Sequence, residues 1–120
     1  MKGLNAAKAA IGEFQFSQFQ RIWEIRLTVY ARKNERTVVN LYMVLEAENR
    51  KPAARLQLLF KDVHSLHIDE IDRDGHIRGL EIEDISGDQL ENVSWRVRDY
   101  EEGSIAFYSS EAEVVGAEAV

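Results

Sequence analysis

The chain has 120 residues, 45% hydrophobic and 30% charged, with a formal net charge of −6 and no cysteine. That length suits one domain with a conventional core, and the composition excludes a largely disordered chain. Without thiols, disulfides, thiolate metal sites and a Cys nucleophile are excluded.

Residues 2–12 hold four alanines and a short helical pattern, too brief to stand without packing. Residues 1–13 are therefore expected to be loosely ordered. From Phe14 the pattern turns strand-like: Trp23, Ile25, Leu27 and Val29 alternate with Glu24, Arg26, Thr28 and Tyr30, which assigns the apolar set to one face. After a polar interruption at 32–35, Val39, Leu41, Met43 and Leu45 repeat that alternation, and the two runs read as an antiparallel hairpin. Glu48 to Pro52 is the next loop.

Residues 53–71 fit two periods. Leu56, Leu59, Phe60, Val63 and Leu66 have helical spacing, while Leu56, Leu58 and Phe60, followed by Leu66 and Ile68, suit two strands joined at Lys61 and Asp62. The strand reading agrees better with the strand and turn chemistry that follows. Asp72 to Gly75 makes a turn in which Gly75 accepts positive φ, and Ser86 to Asp88 makes another. Val93, Trp95 and Val97 lead through a turn at 99–103 to Ile105 and Phe107, and a short last strand runs through Val114 and Val115. Residues 116–120 are expected to fray.

The resulting expectation is a single domain over 1–120, mainly β: about seven antiparallel strands in a curved sheet or sandwich with at most a short helix. The alternative is α+β with residues 53–68 helical.

Charge is divided unevenly along the chain. Residues 1–61 carry 11 Lys and Arg against 5 Asp and Glu, and residues 62–120 carry 4 against 16. The basic residues are spread along strands and turns and form no tract, so no nucleic-acid partner is expected. Neither a signal-peptide core nor an uncharged run of the ~18 residues needed to cross a bilayer is present. No membrane partner and a cytoplasmic location follow as expectations.

The sharpest chemical spacing is EIDRDGHIRGLE at 70–81. Glu70, Asp72, Asp74, Gly75 and Glu81 occupy the positions that oxygen ligands, the bend glycine and the closing glutamate take in an EF-hand calcium loop. Glu70 is longer than the Asp that starts such loops, and Arg78 stands at a ligand position. A strand turn rich in Asp and Gly is the simpler reading, and no metal or other cofactor is expected. His64 and His67, three apart on a strand, point to opposite faces and share no metal unless a bulge intervenes. With His76 they are read as structural or surface histidines. No G-x-S-x-G, P-loop or G-x-G-x-x-G is present, and the many carboxylate pairs read as solvated faces, so no catalytic residue is assigned. Phe14, Phe16, Phe19, Trp23, Tyr30 and Tyr42 read as core and half-buried strand positions; an exposed row of Phe16, Tyr30 and Tyr42 would instead suit base or sugar stacking.

From about residue 60 to 115, the order of Phe60, Val63 and Leu66, then Ile77, Gly79, Leu80, Ile82 and Asp84, then Val97, Asp99, Tyr100, Glu101, Gly103 and Phe107 resembles small bacterial proteins of mostly-strand fold, the immunity proteins of polymorphic toxin systems. The resemblance implies a non-enzymatic inhibitor that docks on a cognate toxin. Between Asp69 and Glu91 stand nine acidic residues against two basic ones, a stretch suited to a basic partner surface. Asp72, Asp74, Glu81, Asp84 and Asp88 are the expected contacts. Two other classes fit the same fold: a small-ligand, calcium-binding or enzymatic domain, and a homodimer joined at a strand edge.

Overall fold

The computed structural model describes residues 1–31, 36–88, 93–99 and 104–120. Eight strands form two antiparallel four-stranded sheets. They are β1 (Arg21–Tyr30), β2 (Val38–Ala47), β3 (Ala54–Lys61), β4 (His64–Ile68), β5 (Leu80–Asp84), β6 (Trp95–Asp99), β7 (Ile105–Ser109) and β8 (Glu111–Ala119). The first sheet has the order β1-β2-β3-β8 and the second β4-β7-β6-β5. One helix, α1 (Leu4–Ile11), precedes them.

Period-two alternation generates the core. Leu41, Met43, Leu45 and Ala47 of β2 and Ala54, Leu56, Leu58 and Phe60 of β3 are fully buried, and their intervening neighbours on β3 are only half-buried. From the second sheet Leu80, Val97, Ile105 and Phe107 meet them. Phe60 and Phe107 join the layers edge to face, with ring centroids 4.9 Å apart. Each such side chain contributes roughly 1.5–3 kcal/mol by leaving water.

Residues 53–68 are strand, and the helical alternative does not occur. The reason is local: the apolar set of 54–60 faces β2 and β8 at once, with Leu58 opposite both Met43 and Val114. A helix would turn Leu59 inward and Leu58 out.

The two sheets are continuous at one corner. β3 runs into β4 and β7 into β8, and Ser110 N–H donates to the Lys61 carbonyl at 3.1 Å between the two ladders. The bend is made at Asp62, whose φ is 54°; its N–H donates to Asn40 Oδ1, and its Oδ2 accepts from Arg36 (2.6 Å) and from the Ser110 hydroxyl (3.0 Å). Asp tolerates this left-handed geometry better than a β-branched residue would.

Other expectations need correction or completion. Trp23 does not join the inner face of β1. A bulge between Ile22 and Glu24 turns it outward, and it is 47% exposed. The stretch from Phe14 begins with a 3₁₀ turn, Phe16–Gln18, before β1, and Phe14 packs on Phe16 and Phe19 at 5.6 and 5.5 Å. In residues 1–13, α1 lies along β8 with Ala7 and Ile11 buried, and Val114 N–H donates to the Lys2 carbonyl at 2.8 Å. β8 is nine residues long and reaches Ala119, well past the short strand expected. The interruption at 32–35 and most of the turn at 99–103 fall outside the described residues.

Replacing Phe107 by Ala removes a ring that bridges both sheets, and the expected loss is about 3–5 kcal/mol. Val120→Ala, at a position 62% exposed, should change little. Urea unfolding monitored by circular dichroism checks both; equal midpoints would contradict this account of the core.

Candidate functional site

The connection between β4 and β5 is the longest described segment without a helix or strand, yet it is held firmly. Asp72 Oδ1 accepts from the N–H groups of Asp74 (2.9 Å) and His76 (3.1 Å), and Gly75 N–H closes the turn onto the Asp72 carbonyl at 3.0 Å. Those donors, His76 first, hold the Asp72 carboxyl below its ordinary range. Gly75 has φ 71°, and a Cβ there would stand 2.4 Å from the Ile22 carbonyl oxygen, so only glycine allows this approach.

That approach ties the loop to the first sheet. Ile22 N–H donates to the Gly75 carbonyl and Ile77 N–H to the Gln20 carbonyl, each at 2.8 Å. Beside them Arg21 donates to Glu48 at 2.6 Å, which depresses the Glu48 carboxyl, and His76 Nε2 lies 3.8 Å from the same carboxylate.

The expected contact residues separate into two groups. Asp72 and Asp74 are exposed on this loop, together with Asp69 and Glu70. Among the described residues none of these four forms an ion pair with Lys or Arg. Glu81 and Asp84 lie on β5 instead. Glu81 accepts from Arg98 at 3.2 Å, while Asp84 accepts the Ser86 hydroxyl (2.6 Å) and N–H (2.9 Å), which lowers its carboxyl. Asp88 ends the 3₁₀ turn Ser86–Asp88, its side chain outside what is described. The structure brings Asp72 and Asp74 together but not the whole set.

The same division bears on the calcium pattern. Ligand atoms of Asp72, Asp74 and His76 lie within 4.8 Å of one another, whereas Glu81 is bonded to Arg98. Strands, not helices, flank the loop on both sides.

The outer face of the second sheet carries two rows that the sequence pattern hid. A register shift in β4, where Ser65 has φ 54°, sets His64 opposite Tyr108 and His67 opposite Ala106. Both histidines therefore face the same side, correcting the expected opposition. One row runs His64, Tyr108, Arg96, Glu83 and the other His67, Ala106, Arg98, Glu81. The His64 ring stacks on Tyr108 at 5.6 Å, and Arg96 is bonded to Glu83. On the first sheet the exposed Trp23 lies between Arg21 and Arg55, whose guanidinium carbons stand 4.5 and 4.4 Å from its ring. Sequence alternation sets Trp23 on the inner face and misses this arrangement; the Arg-x-Trp spacing at 21–23 is the signal that could have found it. Phe16, Tyr30 and Tyr42 form no common row: Phe16 packs on Phe14, and Tyr42 is covered by Arg26.

Two open depressions, one at Lys61, Trp95 and Glu113 and one at Phe16, Gly79 and Ile82, take in no histidine. No described helix is long and apolar enough to cross a membrane.

The described chain is thus a pair of antiparallel sheets with charged and aromatic outer faces and an acidic loop tethered to β1. The chain belongs to the family of immunity protein PIM8, whose model matches residues 8–115. Membership implies a binding module that neutralises a cognate toxin, in a family that is generally non-enzymatic. No curated protein and no solved structure matches the chain.

Because the native Asp72 and Glu48 carboxyls are lowered, their contribution to stability is present above the ordinary carboxylate range, about pH 4, and is lost as pH falls through the lower native values. The Asp74 and His76 amide shifts should titrate together with a midpoint below about 3.9. NMR from pH 7 to pH 2 reads this directly, and a midpoint at or above the ordinary Asp value would contradict the loop geometry.

Proposed function

We propose that the chain is a non-enzymatic inhibitor that meets its toxin through the acidic loop between β4 and β5, and that the toxin presents a basic surface there. One observation carries this reading. Asp69, Glu70, Asp72 and Asp74 are exposed and unmatched by Lys or Arg among the described residues, while Glu81 and Glu83 of β5 are already matched by Arg98 and Arg96.

Unmatched charge on a preformed loop is suited to recognition for two reasons. Its long-range field accelerates encounter with a cationic surface, and the tether to β1 removes most of the ordering cost that a free loop would incur on binding. Matched carboxylates such as Glu81 would first have to surrender their arginines. A basic active-site cleft, such as that of a nuclease, would be occluded by a loop of this sign.

The test is co-purification of the tagged chain with a toxin encoded beside it, followed by association kinetics. Reversing Asp72 and Asp74 to Lys should slow association about tenfold or more at low salt and flatten its salt dependence. Capture that is unchanged by reversal at both positions would remove the acidic loop from the interface.

A further inference from the structure

We propose that the free edge of β1 pairs with the same edge of a second copy of this chain, joining two first sheets into one eight-stranded sheet about a twofold axis. Strand edges elsewhere in the described chain are blunted. β8 is bonded to Lys2 and lies under α1, β4 is short and bulged, and β5 has five residues. The start of β1 is taken by the loop at Gly75 and Ile77.

From Glu24 to Tyr30 the edge is regular, and among the described residues only β2 pairs with it. Two bonds fix which backbone groups face outward. Val63 N–H donates to the Val39 carbonyl, so Val39 and its partner Val29 are not bonded to each other. Ile22 N–H likewise points away from β2, toward Gly75, and its partner Leu45 shares the parity of Val39. By the alternation of antiparallel ladders, Ile25, Leu27 and Val29 direct their N–H and C=O groups to the open side.

The same stretch shows apolar surface. Leu27, opposite buried Leu41, is 45% exposed, Val29 62% and Tyr30 49%.

A second copy supplies the matching strand. With the axis at Leu27, that residue faces itself, Ile25 faces Val29, Arg26 faces Thr28 and Glu24 faces Tyr30. Apolar residues meet apolar residues on one face, and no like charges are opposed on the other. The three outward-facing pairs exchange about six backbone bonds. A different partner would need to bring this alternation by chance; an isologous pairing has it by symmetry.

The experiment is sedimentation equilibrium of the full chain from about 1 to 200 μM, with three variants. The wild type should approach twice its 13.8 kDa mass. Val29→Lys should sediment as a monomer that still unfolds cooperatively, at a melting temperature no longer dependent on protein concentration, since the position is solvent-exposed in the single chain. Leu27→Pro should do the same, because the lost N–H is one that β2 does not use. In this cysteine-free chain, Leu27→Cys should form a disulfide dimer in air, the facing Cα atoms being about 5.5 Å apart. A monomer at every concentration, or a dimer that survives Val29→Lys, would overturn the proposal. So would a strand from another protein binding this edge of a chain that is monomeric alone.

Discussion

The fold depends on the corner at Asp62. One antiparallel ladder, β3 with β8 and β4 with β7, is bent there, so that a single pair of chain segments contributes to both sheets. The Asp62 side chain receives Arg36 from before β2 and Ser110 from the β7–β8 junction, while Val63 reaches the Val39 carbonyl. Phe60 enters the core just before the bend and packs on Phe107 of the second sheet. Most of the contacts that hold this corner are between residues far apart in sequence, as expected for a sheet protein whose order is set by tertiary pairing.

The uneven charge of the sequence takes its physical sense from the same corner. Lys61, after which the sign changes, is the last residue of β3. β8 then carries acidic residues back to the basic sheet, where Lys61 lies 3.8 Å from both Glu111 and Glu113 and Arg55 stands opposite Glu118. β5 is matched in turn by the arginines of β6. Pairing between strands consumes much of the apparent division, and the carboxylates of the β4–β5 connection remain outside it.

The parts of the fold legible in the sequence were those with uninterrupted alternation. β2 and β3 carry Leu, Met and Phe at every second position, and the turn at Gly75 carries the one residue type that its close approach to the Ile22 carbonyl permits. Bulges were not legible. One added residue at Trp23, and another near Ser65, leaves no mark in composition but reverses which side chains share a face. β8 was underread because EAEVVGAEA has little intrinsic strand preference, and its pairing with β3 supplies what the residues lack. For the candidate site, the acidic segment was visible as charge, whereas the split between unmatched loop carboxylates and matched β5 glutamates required the register of β5 on β6. The rows headed by His64 and His67 required the bulge.

Trp23 between two guanidinium groups has an optical meaning. The chain holds two tryptophans, and the other, Trp95, is half-buried at the far sheet between Asp84 and Ser109. The two indoles thus sit in different dielectric surroundings, one open to water and flanked by cations, the other shielded. Their emission bands will differ in wavelength and in accessibility to aqueous quenchers. Intrinsic fluorescence therefore separates events on one sheet from events on the other without any added label.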